Sequence, residues 1–136
     1  MAHILDDLAA YLDTNTSAFT LGQNLFKGRF GPDFPSTCVV LFEILGFEPP
    51  AETYGSAVNI ERPQIQVVSR AGADAYKVAR TNSETAYKVF REASTSIGGV
   101  KYHLLDIRSS PHYLGEDDNS RHMITFTIDV WKEPSS

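Results

Sequence analysis

Apolar side chains recur at helical spacing at the start of the chain, where Ile4, Leu5, Leu8, Tyr11 and Leu12 oppose Asp6, Asp7 and Asp13. This predicts an amphipathic helix of about three turns that stops within residues 13–17. The run "NLFKGRFG" alternates at period two, and the prolines of "FGPDFPS" end it, so a strand and a turn are expected there. "TCVVLFEIL" is apolar on both faces apart from Glu43, the pattern of a central strand or of one that meets a partner. Residues 46–62 have Gly, Pro and polar residues without a period and read as a long connection. "PQIQVVSR" then sets Ile65 and Val67 opposite Gln64 and Gln66, a further strand.

The second helix is the strongest pattern in the chain. Ala75, Val78, Ala79, Asn82, Ala86, Val89, Phe90 and Ala93 keep one register across about five turns. Asp74 is placed to cap its start, and Gly98 and Gly99 to end it. "TNSE" at 81–84 matches a capping box, but the stripe keeps its phase through it, so one unbroken helix is expected. Two alternating runs close the chain, "VKYHLLDIRS" and "RHMITFTIDVWK", separated by a polar hairpin loop at 111–120 with an acidic tip; residues 133–136 read as a frayed tail. The resulting order α-β-β-β-α-β-β has too few helical crossovers for a doubly wound sheet. It predicts one α+β domain over 1–136: a mostly antiparallel sheet of four to five strands with two helices on one face. Val40, Phe42, Met123 and Trp131 would then leave the second face partly apolar, which favours association.

Composition fits this picture. With 136 residues, 42% hydrophobic and 21% charged, the chain can withdraw roughly two thirds of its unfolded surface from water without metals or disulfides. Its net charge of -5 argues against broad contact with nucleic-acid phosphates. Cys38 is the sole cysteine, so no intrachain disulfide can form, and its apolar neighbours mark a buried core thiol. The expectation is a soluble protein of a reducing compartment, with no membrane span or leader.

Candidate chemistry is sparse. His103, Asp106, His112, Asp117, Asp118 and His122 fall close together, but without the spacing of a zinc site or of a calcium loop, and a solvated hairpin is the preferred reading. No serine occupies a nucleophile elbow, and "GQNLFKGRFG" lacks the lysine-hydroxyl pair of a phosphate loop. Lys77, Arg80, Lys88 and Arg91 line the outer part of the second helix with Glu84 and Glu92; Glu84 stands four residues before Lys88, a favourable helix-surface pair. Such a face is either solvated or meets an acidic neighbour, which a second copy of the chain would supply. No catalytic residue, cofactor or metal is assigned, and the chain is expected not to be an enzyme. The rival from another class is a small metal-dependent enzyme using the 103–122 region; a monomeric ligand-binding domain is a third.

The stretch "VNIERPQIQVVSRAGADAYKVARTNSETAYKVF", followed by "KYHLLDIRSSPHYLGEDDNSRHMITFTIDVW", resembles the tail terminator or minor capsid (tail completion) family of long-tailed bacteriophages. The resemblance rests on Arg62, Pro63, Gln64, Gln66, Val67, Arg70, Gly72, Tyr76 and Ala79, which are framework residues, and it runs from about Leu25 to Trp131. It implies a hexameric ring that caps the tail tube, stops its polymerisation and faces the head-completion or neck protein, with genome DNA passing through the pore without specific binding. It places the protein in the virion, at the tail end or neck, after assembly in the host cytoplasm. A neck or head-tail connector component is the alternative within that class. Under this reading the partner-facing candidates are Glu52 and Tyr54 in the long connection, Glu116, Asp117 and Asp118 at the hairpin tip, and Arg80 and Arg91 on the helix.

Overall fold

The computed structural model describes residues 4–28, 34–44, 63–91, 96–97, 100–107, 109–117 and 120–132, with the backbone alone for 96–97 and 100–106. The order is α1 (Ile4–Asn15), β1 (Leu25–Lys27), β2 (Cys38–Ile44), β3 (Gln64–Ala71), α2 (Tyr76–Arg91), β4 (Ser96–Ile97), β5 (Val100–Ile107), β6 (His112–Glu116) and β7 (His122–Lys132). The fold is α+β, and the expected succession α-β-β-β-α-β-β holds for its principal elements, to which β4 and β6 add two short strands. The sheet runs β1-β2-β3-β7-β5-β4 and is mixed: β1 lies parallel to β2, and the remaining pairs are antiparallel.

β7 is long enough to carry two strands in series on one side. β6 pairs with residues 122–125 and β5 with residues 128–132. The segment read as a hairpin loop at 111–120 is therefore half strand. Its period-two pattern is hidden by a bulge between Tyr113 and Gly115, where Gly115 takes φ +128°, a conformation open to glycine and strained for other residues.

Register assigns each side chain to a face. Val39, Leu41, Ile65, Val67, Ile124, Phe126, Ile128 and Val130 are buried on one face, and all but Ile124 share a core with Ile4, Leu8, Leu12, Ala86 and Phe90 from the two helices. Both helices thus cover the same face, as the alternation predicts. The buried stripe of α2 is narrower than expected, Ala79, Ser83, Ala86 and Phe90, and Val78 is exposed. Small residues on that stripe bring the helix close enough for the Ser69 hydroxyl to donate to the Ala79 carbonyl at 2.8 Å. α2 is continuous through Thr81 to Glu84, as its phase requires. Its cap differs: the Ala75 carbonyl accepts from the amides of Val78 and Ala79, so Ala75 holds the capping position and not Asp74. In α1 the buried arc reaches Asp7, expected on the polar side, because this helix meets both the sheet and α2.

The second face is partly apolar and partly covered. Cys38, Val40 and Val68 are buried there beside Arg70, Thr125 and Asp129, while Phe42, Met123 and Trp131 are half-buried. Phe34 stacks on Phe26, and the backbone at Pro35 and Ser36 meets the Arg70 guanidinium, so the segment before β2 lies over this face. The long connection at 46–62, the helix stop at Gly98 and Gly99 and the tail at 133–136 lie outside the described residues.

Candidate assembly surface

The β6–β7 hairpin and the start of α2 meet at one corner of the molecule, and both carry exposed apolar side chains. Tyr76, Tyr113 and Leu114 are 45%, 47% and 47% exposed. Tyr113 pairs with Ile124 across the hairpin and so stands on the helix-bearing face, where its ring lies 5.9 Å from that of Tyr76. His122, two residues before Ile124, shares that face and touches both rings.

The corner is held by hydrogen bonds. His122 Nε2 donates to the Ala73 carbonyl at 2.8 Å, which leaves Nδ1 of the neutral ring to accept from the Tyr113 hydroxyl at 3.0 Å. Desolvation, and then the Glu116 charge, push the Tyr113 phenol up. Tyr113 is thereby held by a hydrogen bond, with the Tyr76 ring packed beside it, and the held ring has less rotamer freedom to lose when it is covered.

Beneath the corner, on the other face, lies a charged cluster. Arg70, with a side chain 4% exposed, donates from Nη2 to the Pro35 carbonyl at 2.8 Å and from Nε to the Ser36 carbonyl at 3.3 Å. Its Nη1 is 3.8 Å from Asp117 Oδ2, and that carboxylate also accepts from Arg121 Nε at 2.7 Å and from the Arg121 amide at 3.0 Å. Cys38, opposite Arg70 in the ladder, is a free thiol; burial pushes its pKa up, against the pull of the Arg70 and Arg121 charges. This is an inert core thiol, as its neighbours in the sequence predict.

The sequence-derived candidates fall into separate places. Glu116 is exposed on β6, next to the aromatic corner. Asp117 turns toward the two arginines instead of forming a free acidic tip. Arg80 donates to the Pro111 carbonyl at 2.9 Å and to Glu84 at 3.1 Å, so Glu84 pairs back with Arg80 and not forward with Lys88. Arg91 lies over the Tyr87 ring, 5.6 Å from its centroid. Glu52, Tyr54 and Asp118 lie outside the described residues.

For the histidine-rich region, His112 Nδ1 donates to the Ser110 carbonyl and His122 is occupied as above, while the side chains of His103 and Asp106 lie outside the described residues. Among the described residues no three His, Cys, Asp or Glu side chains come together as metal ligands, and no helix is long and apolar enough to cross a membrane. The Tyr76–Tyr113 pair was not singled out by the sequence pattern. Its one signal is the apolar "YL" inside an otherwise polar hairpin.

No family model matches the sequence, and no curated protein is similar to it in sequence. The fold is similar to that of a chain in the virion of a native gene transfer agent (GTA) particle, with a TM-score of 0.62 over 98% of this chain and 100% of that chain, at 11% sequence identity.

Proposed function

We propose that the protein is a structural subunit of a tailed, phage-like virion and, within it, the tail terminator that closes the tail tube. The observation that carries this reading is the end-to-end likeness of fold to a virion chain, which runs through the whole molecule and not through one motif. The framework residues from Arg62 to Ala79 point to the same family of roles from the sequence side.

On this reading the protein works through its surface and not through a reactive side chain. A ring closes when one patch of each subunit is buried against a different patch of the next. The preset tyrosine pair with Leu114 supplies one such patch, of the residue types that dominate protein contacts. α2 adds charge: Lys77, Arg80, Lys88 and Arg91 against Glu84, in a chain whose overall charge is -5. Its basic face complements an acidic neighbour, another copy included. A ring of acidic subunits also offers passing DNA little to bind.

Gold-labelled antibody against the protein, applied to intact particles, tests the assignment. The expected result is a single band of label at the end of the tail where it joins the head. Label along the tube, on the capsid surface or nowhere on the particle contradicts it.

A further inference from the structure

The Pro35–Ser36 segment and the β6–β7 hairpin are far apart in the sequence, yet both close on one buried guanidinium. Arg70 gives two of its donors to the carbonyls of Pro35 and Ser36 and approaches the Asp117 carboxylate with a third. Asp117 in turn organises the hairpin turn: it accepts from Arg121 through both side chain and amide, and its carbonyl accepts from the Ser120 amide. We infer that Arg70 is a latch that couples the segment before β2 to the β6–β7 hairpin, so that the two open and close as one unit.

The physical reason is the cost of a half-compensated charge. While both segments are closed, the guanidinium is buried with oxygen acceptors on two sides. Opening the hairpin takes the Asp117 carboxylate away from a buried cation; opening the other segment removes the two carbonyls and admits water to the ion pair. Either opening weakens what holds the other, and such coupling is reciprocal. The aromatic corner, carried on β6, is thereby linked to a segment on the opposite face of the sheet. This coupling is a property of the fold and does not depend on the role in a virion.

Cys38 reports on the latch. It is the only cysteine of the chain, it is buried, and it stands two residues after Ser36. The test is the rate at which a thiol reagent modifies Cys38 in the native, full-length protein. Asp117→Asn, which removes the carboxylate on the hairpin side of Arg70, is expected to speed modification roughly tenfold or more, the scale of breaking a buried ion pair. Leu8→Ala in α1, with a global stability loss at least as large, separates local release from general unfolding. The latch requires a larger effect from Asp117→Asn than from Leu8→Ala. An equal or smaller effect overturns it. In the reverse direction, Arg70→Lys keeps the charge but not the fork. It is expected to speed hydrogen exchange at the Ser120 and Arg121 amides; unchanged exchange there also overturns the proposal. Should Arg70→Lys fail to fold, Arg121→Gln with the Cys38 readout carries the same two outcomes as Asp117→Asn.

Discussion

Ser83 sits on the buried stripe of α2 with its hydroxyl fully enclosed and, among the described residues, without a hydrogen-bond partner. The nearby carbonyl of Ala79 already accepts from Ser69. A desolvated hydroxyl that makes no bond lowers stability, and alanine is the better helix former at such a site. Ser83→Ala is therefore expected to raise stability by about 1 kcal/mol, seen as a higher midpoint in urea denaturation; a lower midpoint means that the hydroxyl has a partner after all. At this scale the sequence was a partial guide. It marked Cys38 as buried and Arg70 as framework, but not what Arg70 does, because its partners Pro35 and Asp117 are brought to it only by the folded sheet. Glu84 shows the same limit: the pattern allows a pair with Lys88, and the geometry selects Arg80, whose position the Pro111 carbonyl also fixes.

Among the elements, the runs with a sustained period were legible, β5 among them despite its bulge, and β6 was not. α1, α2, β3 and β7 each repeat long enough for one face to declare itself, β2 stands out as a run apolar on both faces, and each forms where its pattern begins and ends to within a few residues. β6 was hidden because the bulge at Leu114 and Gly115 shifts its alternation by one, so a strand looks like a loop. The same bulge makes a prediction. Space beside Gly115 is open, and the obstacle to a side chain is its φ of +128° alone. Gly115→Val is expected to cost about 1–3 kcal/mol, concentrated in the hairpin. Hydrogen exchange at Asp117, Ser120 and Arg121 is expected to accelerate while that of β2 and β3 changes less. A uniform change across the sheet would show instead that the hairpin has no local stability of its own.

Taken as a whole molecule, the two-layer arrangement was legible in the order of elements, since two helices among mostly antiparallel strands have one face to cover. What covers the other face was not legible. Alternation in β2 and β7 shows that apolar residues point there, but the closure by Phe34, Pro35 and Ser36 depends on a segment without any period. Of the apolar side chains on the second face, Phe42, Met123 and Trp131 stay half-buried. Among the described residues, exposed aromatic rings meet where Tyr76 and Tyr113 pack together, two residues that only the hairpin register and the start of α2 bring into contact. On the proposed function, the aromatic pair at this corner and the basic helix face nearby are the surfaces to test for assembly contacts.

The most direct test of that claim is electron microscopy of the particles made when the gene for this protein is deleted and everything else is left in place. The account predicts tails of uncontrolled length and filled heads that remain unattached. Tails of normal length with unattached heads would move the protein from the tube end to the neck, and particles indistinguishable from the intact ones would contradict the account outright.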